Sequence, residues 1–167
     1  GVIRADGPDA FVAAWDRIGR LLDLPGVASR GEKLSREIVV EDFVAGPEVA
    51  VEALLREGAL TVLALFDKPD PLDGPFFEET IYITPSSLAG PEQRRIAEVV
   101  AAGARALGLS EGPVHAEVRC GGSGPWIIEL AARSIGGLCS RTLRFGTGMS
   151  LEELILASAL RLPVPTL

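Results

Sequence analysis

Few of the residues that bind metals or form disulfides in other proteins occur in this chain of 167 residues. It has one histidine, two cysteines and no C-x-x-C motif. Cys120 and Cys139 are too few for a disulfide framework, so we expect a reducing compartment such as the cytoplasm. A structural zinc site, which takes about four nitrogen or sulfur ligands, is nearly excluded.

Positive charge and long apolar runs are also scarce. The net charge is −7, and the acidic balance argues against a general nucleic-acid surface. No run approaches the roughly 18 apolar residues of a membrane span, and no signal peptide is visible. The 47% of hydrophobic residues is enough for one soluble globular domain with its own core.

The spacing of apolar residues predicts the secondary structure. Helices are expected over 8–23, 91–107 and 150–161, and Ser150 and Glu153 form a capping box at the start of the last one. Strands are expected over 37–44, 48–56, 59–66, 77–84, 114–120 and 126–132. Because most strands follow one another through short turns, the class is α+β, with a mainly antiparallel sheet flanked by helices.

The stretch from Val114 to Gly137 carries the strongest chemical signal. A hairpin centred on Ser123 places Glu117 directly opposite Glu129. Period-2 alternation gives these glutamates one face together with His115, Arg119, Ile127, Ala131 and Arg133. The other face is apolar, and we expect it to be buried: Val114, Ala116, Val118, Cys120, Ile128, Leu130 and Ala132.

Two carboxylates directly opposite each other on a sheet repel, so a positive group should compensate them. Mg²⁺ is one candidate, because this hard cation prefers carboxylate oxygens and often bridges them to substrate phosphates. The alternative is that Arg119 and Arg133 neutralise the pair and nothing binds. Both interpretations stay open at this point, and both depend on the register, since a one-residue slip would separate the carboxylates.

Several short motifs, taken in their order along the chain, resemble the carboxy-terminal half of an ATP-grasp ligase. They are Glu41-Asp42-Phe43 at a strand end, Gly46-Pro47-Glu48, the Asp67-Lys68 loop, and Glu117 and Glu129 with Arg133. Within that superfamily, residues 67–84 and 114–137 look most like the amino-acid ligases, which join an amino acid to a second amine. The resemblance runs from residue 1 to about residue 161.

The resemblance implies that ATP is clasped between antiparallel sheets. The backbone of Glu41, Asp42 and Phe43 would meet the adenine edge, Glu48 would accept the ribose hydroxyls, and Lys68 would contact a phosphate or a loop. Each residue also has a simpler interpretation. Glu41 and Asp42 could be solvated charges at a strand end, Glu48 an exposed turn residue, and the scarcity of lysine around Lys68 a codon bias.

The resemblance also implies the reacting groups. Glu117 and Glu129 would hold Mg²⁺, or alternatively Mn²⁺, between the β- and γ-phosphates of ATP. Arg133, the candidate catalytic residue, would face the transferred phosphate or the substrate carboxylate. Glu79 and His115 are candidate substrate contacts, although a lone histidine is more often a satisfied structural group.

Two departures from the family pattern matter. Many ATP-grasp enzymes have Asn two residues after the second metal glutamate, where this chain has Ala131, so a second metal is in doubt. The glycine-rich lid and the amino-terminal lobe would lie upstream of Gly1. We therefore expect a fragment, with residues 1–35 as the lid end, a helix and a connection, and 36–167 as the carboxy-terminal lobe.

Three functions compete on this sequence. The first is an ATP- and Mg²⁺-dependent carboxylate–amine ligase that takes two small molecules, is inactive without its amino-terminal lobe and could form a homodimer. The second is a relative that binds nucleotide without ligating. The third is a structural fragment whose acidic pair is salt-bridged. Turnover of nucleotide by the full-length protein on addition of amino acids separates the first two.

Overall fold

The computed structural model describes residues 2–28, 37–71, 74, 81–146 and 148–164, and the chain divides into two compact units. One unit comprises Gly1–Phe43 and Pro71–Glu79, and the other comprises Val44–Asp70 and Thr80–Leu167. Among the described residues, no helix has both the length and the apolar character needed to cross a membrane.

The first unit contains helix α1, Pro8–Leu22, and the short helix α2, Pro25–Ala28, which follows it. The predicted helix over 8–23 is therefore confirmed. The predicted strand over 37–44 is wrong, because the described structure has no strand there. Val and Ile favour an extended backbone, but a strand also needs a neighbour for its backbone hydrogen bonds. Val39 and Val40 are instead largely exposed.

The second unit contains a four-stranded antiparallel sheet in the order β2-β1-β3-β4. In chain order the strands are β1 Glu48–Arg56, β2 Ala59–Lys68, β3 Gly112–Gly121 and β4 Gly124–Ala131. The α+β class with a mainly antiparallel sheet is confirmed. The strand predicted over 59–66 extends two residues further, so Lys68 lies in β2 and not in a loop.

The register of the β3–β4 hairpin confirms the predicted pairing of the two glutamates but changes the predicted faces of the residues nearer the turn. Glu117 pairs directly with Glu129, but a bulge between Glu117 and Val118 shifts the pairing towards the turn by one residue. A bulge inserts one extra residue and reverses the faces beyond it. Ile127 therefore packs into the apolar core, and Ile128 is 39% exposed, the reverse of the prediction for both.

Helix α3, Gly90–Ala106, covers the apolar face of the sheet. Its buried residues, which include Ile96 and Val100, contact the odd-numbered valines of β1 and the even-numbered apolar residues of β3. The helix approaches β4 closely at Gly103, where a Cβ atom would lie 2.6 Å from Cδ1 of Ile127. The predicted helix over 91–107 is confirmed, although Leu107 at its end is exposed.

The other face of the sheet meets the carboxy-terminal part of the chain. This part consists of α4 Cys139–Thr142, β5 Arg144–Phe145, β6 Met149–Ser150 and α5 Leu151–Ala159. The capping box is confirmed: the Ser150 hydroxyl accepts from the Glu153 backbone N–H, and the Glu153 carboxylate accepts from the Ser150 N–H. Apolar contacts of α5 and of Ile135 with Phe66 and Ala50 cover part of this face.

The segment after β2 is held by backbone and side-chain contacts of Asp67. Asp67 and Ile83 form an antiparallel bridge, and the Asp67 carboxylate accepts hydrogen bonds from Ser86 and Ser87. Burial acts against its ionised form, but these hydrogen bonds hold the pKa of Asp67 below its usual value. The strand predicted over 77–84 lies partly outside the described residues, and of the described part only Ile83 pairs.

Candidate functional site

One face of the sheet in the second unit carries charged side chains from all four strands. They come from Glu48 and Glu52 of β1, Lys68 of β2, His115, Glu117 and Arg119 of β3, and Glu129 of β4. Register places Lys68, Glu48 and Arg119 in one row across three strands, and Glu52 beside His115 in another. Positive and negative side chains alternate along these rows, so each buried charge lies next to a charge of the other sign. Ions that are removed from water require such pairing.

Glu48 is the centre of a buried ion network. Its Oε1 atom lies 2.7 Å from Nζ of Lys68, and its Oε2 atom lies 2.9 Å from Nε of Arg119. The Glu48 and Lys68 side chains are 5% and 3% exposed. Lys68 also lies 3.0 Å from Oε1 of Glu117, so this lysine joins Glu48 to the predicted metal site.

Lys68 is enclosed on a further side by an aromatic ring. Its Nζ atom lies 5.2 Å from the ring centroid of Tyr82, and that ring meets Phe66 edge-on at 6.0 Å. Tyr82 precedes Ile83, whose bridge to Asp67 fixes this part of the chain beside β2. A cation over an aromatic face gains electrostatic stabilisation, and more so where water is excluded. The lysine is therefore fixed in position.

Glu129 and Arg133 form a second, more open pair. Nη2 of Arg133 lies 3.1 Å from Oε1 of Glu129, and both side chains are 53% exposed. The same guanidinium donates from Nη1 to the backbone oxygen of Ser134. The expectation that arginines alone compensate the two opposed glutamates holds only for Glu129. Glu117 is paired with Lys68, and Arg119 contacts Glu48 instead.

Behind Glu117 lies a buried pair formed by Glu52 and His115. Nδ1 of His115 is 3.6 Å from Oε2 of Glu52, and Nε2 is 3.9 Å from Oε1 of Glu117. Burial would lower the pKa of His115, but Glu117 and Glu52 outweigh it and raise that pKa to about 9. Burial raises the pKa of Glu52, against the attraction of the nearby His115 and the hydrogen bond from the Ile135 backbone. The two carboxylates thus favour the protonated form of the histidine beside the predicted metal carboxylate.

A tight turn before β1 fixes the Glu48 end of the face. Gly46 has φ of +132°, and a Cβ atom there would lie 2.6 Å from the backbone oxygen of Cys120, so only glycine fits. Nη1 of Arg119 donates to the Val44 oxygen at 2.8 Å, and the Cys120 N–H donates to the Pro47 oxygen. The turn is thus bound to the end of β3.

The pair Glu117 and Glu129 fits Mg²⁺ as a two-carboxylate site and not as a closed cage. Within the described ranges, no cluster of three or more His, Cys, Asp or Glu side chains is placed to hold a metal ion. Mg²⁺ usually binds through one or two carboxylates and keeps waters or substrate phosphates as its other ligands. Two opposed glutamates, one enclosed and one open to solvent, supply that donor set.

Not every predicted site residue belongs to this face. Glu41, Asp42 and Phe43 lie in the first unit, where the Arg4 guanidinium is 4.2 Å from the Phe43 ring centroid. Glu79 lies outside the described residues. The roles of these four residues, and the ribose, phosphate, metal and catalytic roles of the others, stay predictions.

Sequence reasoning missed Glu52 and the partner of Arg119. The signal for Glu52 was present: it is a glutamate within the strand EVAVEALLR, on the same face as Glu48. A carboxylate in a strand that is buried along eight of its nine residues must have partners. Those partners, His115 and Ile135, lie 63 and 83 residues further along the chain, and sequence spacing does not reveal such contacts.

A family model of the ATP-grasp domain matches residues 1–142, and the chain belongs to the ATP-grasp family. An L-amino acid ligase from Bacillus licheniformis is 32% identical and superposes with a TM-score of 0.81, over 99% of this chain and 40% of that chain. Human carnosine synthase 1 is 28% identical over 86% of this chain and 17% of its own length. A D-alanine–D-alanine ligase from Aromatoleum aromaticum is 29% identical over 78% of this chain and 38% of its own length.

These similarities confirm the resemblance to ATP-grasp ligases and to their amino-acid ligase group. The chain spans less than half the length of each of these three relatives.

Proposed function

We propose that the protein to which this chain belongs is an ATP- and Mg²⁺-dependent ligase that joins a small carboxylate to an amine in the cytoplasm. In this proposal the chain supplies the nucleotide- and metal-binding lobe. The observation that carries it is the direct cross-strand pairing of Glu117 with Glu129, with Lys68 and Arg133 against them. The relatives named as L-amino acid ligase and D-alanine–D-alanine ligase support the same class of reaction.

The proposed reaction has two steps. An oxygen of the carboxylate attacks the γ-phosphorus of ATP, the bond to the β-phosphate oxygen breaks, and ADP leaves with formation of an acyl phosphate. The amine nitrogen then attacks the acyl carbon, phosphate leaves with the electron pair of the broken C–O bond, and the nitrogen gives up a proton. Catalysis of this kind is mainly positioning and charge neutralisation.

The charged face suits that task. Glu117 and Glu129 would hold Mg²⁺, which would neutralise phosphate charge when it is bound. Lys68 is fixed between Glu48 and Glu117 and would present its ammonium to a phosphate. Arg133 is half exposed and can exchange Glu129 for an anionic substrate group without breaking a buried contact. A preorganised arrangement such as this costs little reorganisation during reaction.

Substitution of Glu129 in the full-length protein tests the proposal. Glu129→Gln should abolish release of ADP in the presence of ATP, Mg²⁺ and amino acids, and the circular dichroism spectrum should not change, because the side chain is half exposed. Glu98→Gln, at an exposed position of α3, is the matched control and should keep full activity.

Two outcomes would contradict the proposal in different ways. Unchanged turnover by the Glu129→Gln variant would show that the metal assignment is wrong. Binding of ATP by the unsubstituted protein without turnover on any amino acid would favour a nucleotide-binding relative that does not ligate. The Ala131 position, where an Asn oxygen is absent, makes this second function worth testing.

The isolated chain of 167 residues should not catalyse the reaction. In the proposed enzyme, ATP is enclosed by two lobes, and this chain supplies one of them. A coupled assay for ADP release by the purified chain should therefore give only the rate of the assay without protein. A rate that rises with the concentration of the chain and disappears with EDTA would contradict this expectation.

A further inference from the structure

Glu52 is a carboxylate in the middle of the sheet with a solvent exposure of 0%. Its neighbours along the same face of β1 are Ala50 and Leu54, both buried and apolar. Burial of a carboxylate is unfavourable, and replacing a buried ion by a well-packed apolar residue is often neutral or stabilising. A purely structural position here would therefore be better filled by an apolar side chain.

The carboxylate of Glu52 contacts two separate parts of the predicted active site. On one side, Oε2 accepts a hydrogen bond of 2.8 Å from the backbone N–H of Ile135, two residues after Arg133. On the other side, the same oxygen lies 3.6 Å from Nδ1 of His115, whose Nε2 lies 3.9 Å from Glu117. One buried oxygen thus lies between the segment that carries Arg133 and the residue beside Glu117.

Glu52 and His115 do not satisfy all of their buried polar atoms with hydrogen bonds. Within the described part of the chain, Oε1 of Glu52 and Nδ1 of His115 are buried without a hydrogen-bond partner. Buried polar atoms are nearly always hydrogen-bonded, so each exception calls for a specific explanation. The arrangement is consistent with a group retained for the position that it imposes on others.

We propose that Glu52 is a positioning residue for the ligase reaction, which fixes the segment of Arg133 through Ile135 and the side chain of Glu117 through His115. This inference rests on the proposed function, but its structural half can be tested without turnover. Outer groups that orient metal ligands change activity by about 10- to 100-fold when they are substituted.

Two substitutions separate the two contacts. Glu52→Ala removes both of them. Glu52→Gln keeps an oxygen that can accept from the Ile135 N–H but removes the negative charge beside His115. Glu98→Gln on the exposed surface of α3 serves as the control. Because Gln nearly preserves the volume of Glu, the Gln variant keeps the experiment decisive if the Ala variant does not fold.

The first readout is amide hydrogen exchange of the chain, followed residue by residue. Glu52→Ala should speed exchange at Ile135 by about tenfold or more relative to the amides of Val51 and Val118 in the sheet, because a hydrogen bond to a charged group is lost. Glu52→Gln should leave Ile135 protected. Equal acceleration in all strands would mean a general loss of stability and would overturn the proposal, as would unchanged exchange at Ile135 in the Ala variant.

The second readout is steady-state kinetics of the full-length protein. Both Glu52 variants should lower kcat by about 10- to 100-fold, with the KM for ATP changed by no more than about twofold, since the contacts are to reacting groups. Unchanged kcat in both variants would overturn the positioning role while leaving the proposed function intact. If the unsubstituted protein shows no ligation, the proposed function fails, and exchange at Ile135 still decides whether Glu52 fixes that segment.

Discussion

The two faces of the sheet are formed by the same four strands, but different interactions stabilise them. The face against α3 is apolar, and its stability comes from burial of Val51, Val100, Val118 and their neighbours. The opposite face carries four glutamates among cations, and it is stable only because nearly every buried charge contacts an opposite one. One face is an apolar core, whereas the other combines a smaller apolar cluster with a network of paired charges.

The largest expected effect comes from placing a charge on the wrong face. Val51→Asp puts a carboxylate into the apolar core, at a position of β1 with 0% exposure. We expect loss of more than about 4 kcal/mol of unfolding free energy, enough to unfold a domain of ordinary stability. Circular dichroism and thermal melting provide the measurement.

Val62→Asp on β2 is the control for this prediction, since Val62 is 37% exposed. The aspartate should stay hydrated there, and the variant should remain folded. A folded Val51→Asp variant with an unchanged melting temperature would show that the two faces do not differ as described.

The next effect comes from removing a charge on the polar face. Glu48→Gln leaves Lys68 and Arg119 without the carboxylate that both contact. Breaking a buried ion pair by removing one partner costs about 3–5 kcal/mol, and the amide that remains should place this variant at the lower end. Urea unfolding should detect it, with Glu98→Gln expected within about 0.5 kcal/mol of the unsubstituted chain. Equal stability of both variants would contradict the central role of Glu48.

A smaller effect is expected from pH. The pKa of His115 is raised to about 9 in the folded chain, against 6.5 for the unperturbed group. Its contribution is therefore fully present below about pH 6.5 and is lost as the pH rises through about 9, with a size of at most about 3 kcal/mol. The pKa of Glu52 is also raised, so protonation of Glu52 likewise stabilises the folded state at lower pH, because the folded state again binds the proton more tightly.

The control for the pH prediction is His115→Gln. Unfolding free energies at about pH 6 and pH 9 should differ less in this variant than in the unsubstituted chain. Identical pH dependence of the two proteins would show that His115 does not carry the effect.

The smallest effect on stability is expected at the exposed end of the polar face. Arg133→Gln should change the unfolding free energy by less than about 1 kcal/mol, because Arg133 and Glu129 are both half exposed and solvent screens their attraction. The ligase activity proposed for the full-length protein should nevertheless fall severely. A large loss of stability with unchanged turnover would reverse the roles assigned to this pair.

Much of the fold was predictable because its signals are local. The Gly-rich turn and the alternation around it predicted that Glu117 faces Glu129, and the spacing of Ser150 and Glu153 predicted the start of α5. The strand predicted over 37–44 is wrong because a strand depends on a non-local partner. Its apolar residues favour an extended backbone but cannot supply a neighbouring strand. The bulge after Glu117 was missed because alternation assumes an uninterrupted ladder.

By itself, the sequence determined the three long helices, the four strands of the sheet and the fact that two glutamates face each other across a hairpin, because turns, caps and side-chain periodicity act over a few residues. Only the tertiary structure decided which cation neutralises which carboxylate. Lys68 contacts Glu48 and Glu117, Arg119 contacts Glu48, and Glu52 contacts His115 and Ile135. These partners are 20 to 83 residues apart, and they meet because strand register, which is set by packing of the whole sheet, places them in neighbouring rows.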